Sequence, residues 1–195
     1  MITNLKLRKF RSCDDVDIPL KPLTVLVGPV AAGKSNILKA LMLLQTSIHR
    51  SPAELFPPGL SDFRWVRSRW ARTTDSIGFE VELEELAEFP DARVRYELEL
   101  AEGPTGIFVA RERLELFDGE DNGKPDTLVF DRGVRGGDFG PFGRVQAQDP
   151  TLLHQALRMG YEEGPTGDLS VDLGWAVAMI LSCYEYYLLE SSRAK

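Results

Sequence analysis

Cysteine is nearly absent. Cys13 and Cys183 are the only two, far apart and outside any CxxC pair. That excludes a disulfide framework and a thiolate zinc centre, and reads as two reduced thiols in a cytosolic protein. Histidine is equally scarce, and neither His49 nor His154 has a Cys, Asp or His at ligand spacing, so no metal role is assigned to them. No apolar run is long enough to span a bilayer; the best, "LGWAVAMILSCY", is short and is followed by Glu185. The opening "MITNLKLRKFRS" lacks the apolar centre of a signal peptide. A cytoplasmic location without membrane contact is expected. Positive charge is not in excess either: the net charge of −7 excludes indiscriminate attraction to nucleic acid, though not local basic patches. There is no internal repeat and no low-complexity tail.

What is present suffices for one domain, or a domain with an insert: 195 residues, 43% hydrophobic and 27% charged. Ile2, Leu5 and Leu7 suggest a first strand, and "DVDIPL" alternates Val16, Ile18 and Leu20 with polar residues. "LTVLV" (23–27) is a continuous apolar run between Pro22 and Gly28, the pattern of a strand buried on both faces. From Lys34, the spacing of Ile37, Leu38, Leu41, Leu44 and Ile48 is helical. "SPAELFPPGLSD" then interrupts the chain.

Residues 75–135 read as an antiparallel lobe. "IGFEVELEE", "ARVRYELEL", "IFVARERLELF" and "TLVFDRG" each alternate apolar and charged residues, with turn chemistry between. Their acidic faces suggest solvated surface. After "GVRGGDFGPFG" come two helices, "DPTLLHQALRMG" and about 171–183, and then a strand, "YEYYLL".

The distinctive motif is "GPVAAGKS", with Gly28, Gly33, Lys34 and Ser35 in GxxxxGK[ST] register. Its chemistry is that of a phosphate cradle. The loop bends so that backbone N–H groups converge on one anion, and the helix behind it adds unpaired amides and the positive end of its dipole. Lys34 brings a full charge to the β- and γ-phosphates, and the Ser35 hydroxyl can ligate Mg²⁺.

Together, "LKLRKFRSCDDVDIPL" and "LTVLVGPVAAGKSNILKAL" resemble the N-terminus of SMC/RecF/OLD-type ATPases, with "KFRS" at 9–12 and "GKSNILKAL" at 33–41. Beyond residue 45 the resemblance is weaker, resting on "RERLELFDG…TLVFDRG" and "YEYYLLESSR". It implies an α/β P-loop NTPase fold, the N-terminal part of an ABC-ATPase head with an inserted antiparallel β-rich lobe. The implied organisation is strands, P-loop and first helix in 1–74, β-lobe in 75–135, and in 136–195 a helical segment with the start of the second half of the head. It implies ATP and Mg²⁺ held by Gly28, Pro29, Val30, Ala31, Ala32, Gly33, Lys34, Ser35 and Asn36, with Arg11 near the nucleotide and Ser35 on the metal. A role in DNA repair or defence against foreign DNA follows by the same likeness, as does possible DNA contact.

Two positions depart from the family. Val30 stands where an asparagine is usual, and Ala31-Ala32 replace Gly-Ser; an alanine at positive φ is strained by about 1 kcal/mol or more. Two motifs are also missing. "TLVFDR" offers an aspartate after an apolar run but continues with Arg132, not the Walker B glutamate, and "LELFDGED" fits the lobe. No serine-glycine signature appears. The chain is therefore expected to bind ATP but hydrolyse it poorly, working as a homodimer or with a partner chain that carries both motifs. A non-hydrolysing regulatory or scaffold subunit is the alternative; a small phosphotransferase fits less well.

"DFRWVRSRWAR" mixes arginines with Trp65 and Trp70, a composition suited to nucleic acid. The simpler reading is a short amphipathic helix with Phe63, Val66 and Trp70 inward. Lys6, Arg8, Lys9 and Arg11 read as the charge protection of a strand edge.

Overall fold

The computed structural model describes residues 1–56, 63–87, 89–118 and 125–183. Its centre is a six-stranded antiparallel sheet in the order β2-β1-β3-β4-β5-β6, formed by β1 (Ile2–Phe10), β2 (Cys13–Pro19), β3 (Ile77–Leu83), β4 (Ala92–Gly103), β5 (Gly106–Asp118) and β6 (Thr127–Gly133). The fold is mixed α/β, and the meander read from residues 75–135 forms as β3 to β6. Because β1 pairs with β3 along Leu5↔Val81 and Leu7↔Phe79, the N-terminal hairpin and the meander share one sheet. One face of this sheet meets the helices α1 (Lys34–Ser47), α4 (Leu152–Glu163) and α5 (Leu169–Cys183) in a continuous apolar core. Two single-turn helices, α2 (Pro52–Leu55) and α3 (Phe63–Val66), follow α1, and a small ribbon, β7 (Gly137–Asp138) with β8 (Arg144–Val145), precedes α4. The "YEYYLL" segment lies outside the described residues.

Helices α4 and α5 pack as a hairpin at close range. A Cβ on Gly160 would sit 2.3 Å from Trp175 Cδ1, and one on Gly174 would sit 2.9 Å from the Ala156 Cβ. Glycine at these two positions is what permits the approach.

The opposite face of the sheet corrects two expectations. The glutamates are not simply solvated. Lys6 pairs with Glu80 at 3.1 Å, Arg95 with Glu82 at 2.9 Å and with Glu115 at 3.5 Å, and Arg8 with Glu97. Arg95 stands between Glu82 and Glu115, and Glu97 and Glu99 face Arg113 and Arg111, while the like-charged neighbours Glu80 and Glu97 are answered by Lys6 and Arg8 from β1. Nor do Lys6 and Arg8 guard an edge: β1 is an interior strand, and the edges are β2 and β6.

The core face holds an ion pair. Glu112 and Arg132 are both 0% exposed and stand opposite each other in the β5–β6 register. Arg132 Nη1 donates to Glu112 Oε2 at 3.3 Å and to the Pro150 carbonyl at 2.7 Å, and Nη2 donates to the carbonyls of Asp149, at 3.0 Å, and Gln146. Glu112 also accepts from Tyr96 Oη at 3.0 Å and from the backbone N–H groups of Leu152 and Leu153 at 2.7 and 3.2 Å. Burial pushes the Glu112 carboxyl up, opposed by Arg132 and the two amides. Its charge thus sits against the first turn of α4, where a carboxylate is favoured by the helix dipole.

Breaking this pair from one side leaves a charge buried alone, which costs about 3–5 kcal/mol. Glu112→Gln is expected to lower stability by that amount in chemical denaturation. The double variant Glu112→Leu/Arg132→Met should recover only the part due to the lone charge, since it still leaves Tyr96 Oη, the Leu152 and Leu153 amides and the carbonyls of Gln146, Asp149 and Pro150 without these partners. Equal losses in the single and double variants would show that the pair does not act as a unit.

Candidate nucleotide-binding loop

Residues 23–27 do not form the expected strand. Leu23, Val25 and Val27 are 83%, 72% and 88% exposed, and the segment belongs to neither sheet. A continuous apolar run becomes a strand only where neighbours satisfy its backbone and cover its faces. Among the described residues, no strand pairs with this one. The segment instead turns back locally, with Lys21 N–H donating to Thr24 Oγ1 at 2.9 Å.

The loop that follows does open a helix. Gly33 is the N-cap of α1 with φ +92°, a backbone conformation that favours glycine, and a Cβ there would stand 3.0 Å from Ser12 Oγ. Ala31 adopts φ +66°, so the strain anticipated for an alanine in this loop falls on Ala31. Val30 is 97% exposed. Lys34 folds back over its own loop, its Nζ donating to the carbonyls of Gly28 and Pro29, each at 2.7 Å.

The start of α1 is left open to an anion. It has no side-chain cap and no acidic residue in its first turn, so no carboxylate of its own offsets the positive end of the helix dipole. The Ser35 side chain is exposed in the same turn. These donors fit a polyphosphate: amides at a helix start, a lysine within reach of the loop, and a hydroxyl free to meet a metal ion.

Asn36 and Arg11 take other positions. Asn36 Nδ2 donates to Ser12 Oγ at 2.8 Å, tying α1 to the β1–β2 turn. Arg11 in that turn and Lys9 near the end of β1 adopt φ +51° and +55°. Arg11 N–H donates to the Val66 carbonyl at 2.7 Å, and its guanidinium lies 5.9 Å from the Phe10 ring centroid. The turn therefore joins the P-loop helix to the segment around α3. That segment is not the amphipathic helix expected: its helical part is four residues long, and Trp70 is 60% exposed rather than inward.

The far end of α1 is fixed by α4. Thr151 Oγ1 donates to the Ser47 carbonyl at 3.3 Å, and His154 Nδ1 lies 2.8 Å from the Ile48 carbonyl. Glu112, Arg132 and His154 position this contact. In the sequence, Arg132 drew notice only as the wrong residue after Asp131, His154 only as a histidine without a metal role, and Glu112 not at all. Asp131 lies on the charged face, paired with Arg111 at 3.1 Å and Arg113 at 3.6 Å, while Arg132 enters the core. Facing away from the helices and held by two arginines, Asp131 is poorly placed to serve the loop.

Comparison with known proteins follows the same lines. The family described as AAA domain, putative AbiEii toxin, Type IV TA system matches residues 23–158. The chain belongs to this family. Within this AAA-domain chain, 44 residues are 48% identical to an OLD nuclease of Thermus scotoductus, covering 23% of the chain and 8% of that protein. The DNA replication and repair protein RecF of Roseiflexus castenholzii is 46% identical over 52 residues, covering 26% and 13%. RecF of Gloeobacter violaceus is 38% identical over 84 residues, covering 43% and 22%. The chain thus spans less than a quarter of the length of these relatives. A solved structure described under ATP-driven dimerization and DNA stimulated activation of SMC ATPases overlaps 60% of this chain and 69% of its own, at 20% identity and a TM-score of 0.40. The family and the curated relatives support the resemblance to SMC/RecF/OLD-type ATPases. No helix among the described residues is long and apolar enough to cross a membrane.

Gly33→Ala is expected to place a side chain against Ser12 in a backbone conformation unfavourable to it, costing about 1 kcal/mol or more. The check is thermal unfolding, with Ser12→Ala as the companion variant. If Gly33→Ala leaves the melting temperature unchanged, Gly33 does not hold the left-handed conformation.

Proposed function

We propose that this chain is the ATP-binding part of an SMC/RecF/OLD-like ATPase that acts in DNA repair or in defence against foreign DNA. The observation that carries this reading is a lysine folded over a glycine-bounded loop at a helix start that has no side-chain cap and no acidic residue in its first turn. In it, Gly28, Pro29, Val30, Ala31, Ala32 and Gly33 wrap the triphosphate, and Lys34 exchanges the Gly28 and Pro29 carbonyls for phosphate oxygens. Ser35 would meet Mg²⁺, while Asn36 of α1 and Arg11 of the β1–β2 turn border the site. Bound magnesium would offset the charge of the phosphates.

Hydrolysis requires more than this loop. Asp131 is committed to arginines on the far face, and Arg132 is locked in the core. The Walker B and signature elements are therefore assigned outside these 195 residues, to a further stretch of the same protein or to a partner chain. The exposed apolar residues 23, 25 and 27 are where added strands would complete a sheet beside the loop, because burying them would supply both pairing and apolar cover.

The strained Ala31 and the apolar Val30 favour a second reading, a nucleotide-binding scaffold that does not hydrolyse. Calorimetric titration with ATP and Mg²⁺ tests the shared claim: wild type binds, and Lys34→Ala loses binding at least tenfold. Magnesium-dependent turnover abolished by Lys34→Ala selects the ATPase reading, and binding without turnover in the complete assembly selects the scaffold. No binding by folded wild type, alone or in the complete assembly, overturns both.

A further inference from the structure

Residues 63–72, "FRWVRSRWAR", hold four arginines, two of the chain's three tryptophans and no carboxylate. In a chain of net charge −7 this is a local reversal of sign, and the fold presents it outward. The segment is anchored from beneath. Phe63 is 2% exposed and packs on Phe56, and Arg67 is buried, with its Nη1 donating to the Thr73 carbonyl at 2.7 Å. The Val66 carbonyl accepts from Arg11 N–H, and Ser68 N–H donates to the Lys9 carbonyl, each at 2.7 Å. Each exposed side chain of the segment, at 64, 65, 69, 70 and 72, is arginine or tryptophan.

Trp65 and Trp70 are 78% and 60% exposed, and neither belongs to the apolar core. Leaving two indoles in water brings no gain to folding, so a ligand explains them better than packing does. The Arg69 guanidinium lies 4.4 Å from the Trp70 ring centroid, so one indole is already paired with a cation.

The geometry points to residues 64–72 as a platform for single-stranded nucleic acid. Unpaired bases stack on the indoles of Trp65 and Trp70, and Arg69 and Arg72 meet the phosphates between them. A base offers a π-face with every nucleotide and a negative charge at the same repeat, which matches an exposed surface made of aromatic rings and guanidinium groups alone. An apolar protein partner would call for aliphatic side chains among the rings, and none is exposed here. The inference deepens the DNA-linked reading above, rests on it, and gives that reading a surface. The platform also adjoins the loop, because the turn that bonds to Val66 and Ser68 bonds through Ser12 to Asn36 of α1.

The test is fluorescence anisotropy of a labelled oligothymidylate titrated with the full chain. Trp65→Ala and Trp70→Ala are each expected to weaken binding roughly tenfold. Arg69→Gln/Arg72→Gln should make the salt dependence shallower, by roughly 0.7 in log–log slope for each phosphate that is no longer neutralised. These side chains are exposed, so unchanged melting temperatures verify that the variants fold. Absence of binding overturns the proposal, as do unchanged affinity in both tryptophan variants and equal affinity for the matching duplex. Displacement of the oligonucleotide by polyglutamate at equal charge also overturns it, and reassigns the surface to acidic protein. Calorimetry of the same wild-type preparation with ATP and Mg²⁺ separates the two readings. ATP binding without oligonucleotide binding rejects the platform alone, and the converse rejects the loop alone.

Discussion

A buried charge must be answered where it lies, and in this protein the answer to Glu112 organises the helical layer. Its carboxylate faces the core from β5 and takes a guanidinium from β6, a phenol from β4 and two amides from the start of α4. An apolar pair would have removed the buried charges but left the two amides, the Tyr96 hydroxyl and three carbonyls without these partners. What the ionic pair adds is direction: the carboxylate has several oxygen lone pairs to satisfy, and only one placement of α4 supplies the two amides. Arg132 adds the converse constraint, drawing in the carbonyls of Gln146, Asp149 and Pro150, which are the chain leading into that helix. The position of α4 then fixes the end of α1 through Thr151 and His154. Since α1 has 14 residues, the lysine loop lies about 20 Å from this contact, at the other end of a helix held in place by a pair buried in the core.

Much of this architecture was legible in the sequence. Alternation marked β3 to β6, helical spacing marked α1, the segments that form α4 and α5 read as helices, and the glycine-lysine motif marked the loop. The inward position of Glu112 was not legible, and the reason is geometric. Ile107 and Val109 face the core, so simple alternation along β5 would turn Arg111 and Arg113 inward. A register irregularity opposite Glu99 and Leu100 inserts one residue in β5, after which Glu112, Leu114 and Leu116 occupy the core face. A bulge of this kind changes the parity of every later residue, and nothing in the local composition announces it. The same shift turns Arg113 outward to meet Glu115 and Asp131, which is why the acidic strands carry a charged lattice and not a bare solvated face.

The error at 23–27 has a different origin. Its composition is that of a strand covered on both faces, and composition of that kind reports the environment a segment is suited to. Whether the environment exists depends on other strands. Here Leu23, Val25 and Val27 are exposed, so local preference and tertiary context disagree, and they disagree immediately before the loop that carries the chemistry.

That disagreement bears on how the loop can work. A phosphate cradle owes its affinity to amides held in place before the ligand arrives, because ordering them on binding costs free energy. On the helix side the loop is well held: Gly33 caps α1, and Asn36 is bonded to Ser12. On the other side it continues into an unpaired apolar segment, and Lys34 is engaged by the carbonyls of Gly28 and Pro29. Pairing of residues 23–27 with added strands would fix the entry to the loop and bury its apolar side chains in one step. Nucleotide affinity and assembly are then thermodynamically linked, each partner favouring the other by the same factor, so an assembly-dependent ATP site requires no conformational switch beyond the ordering of this single strand.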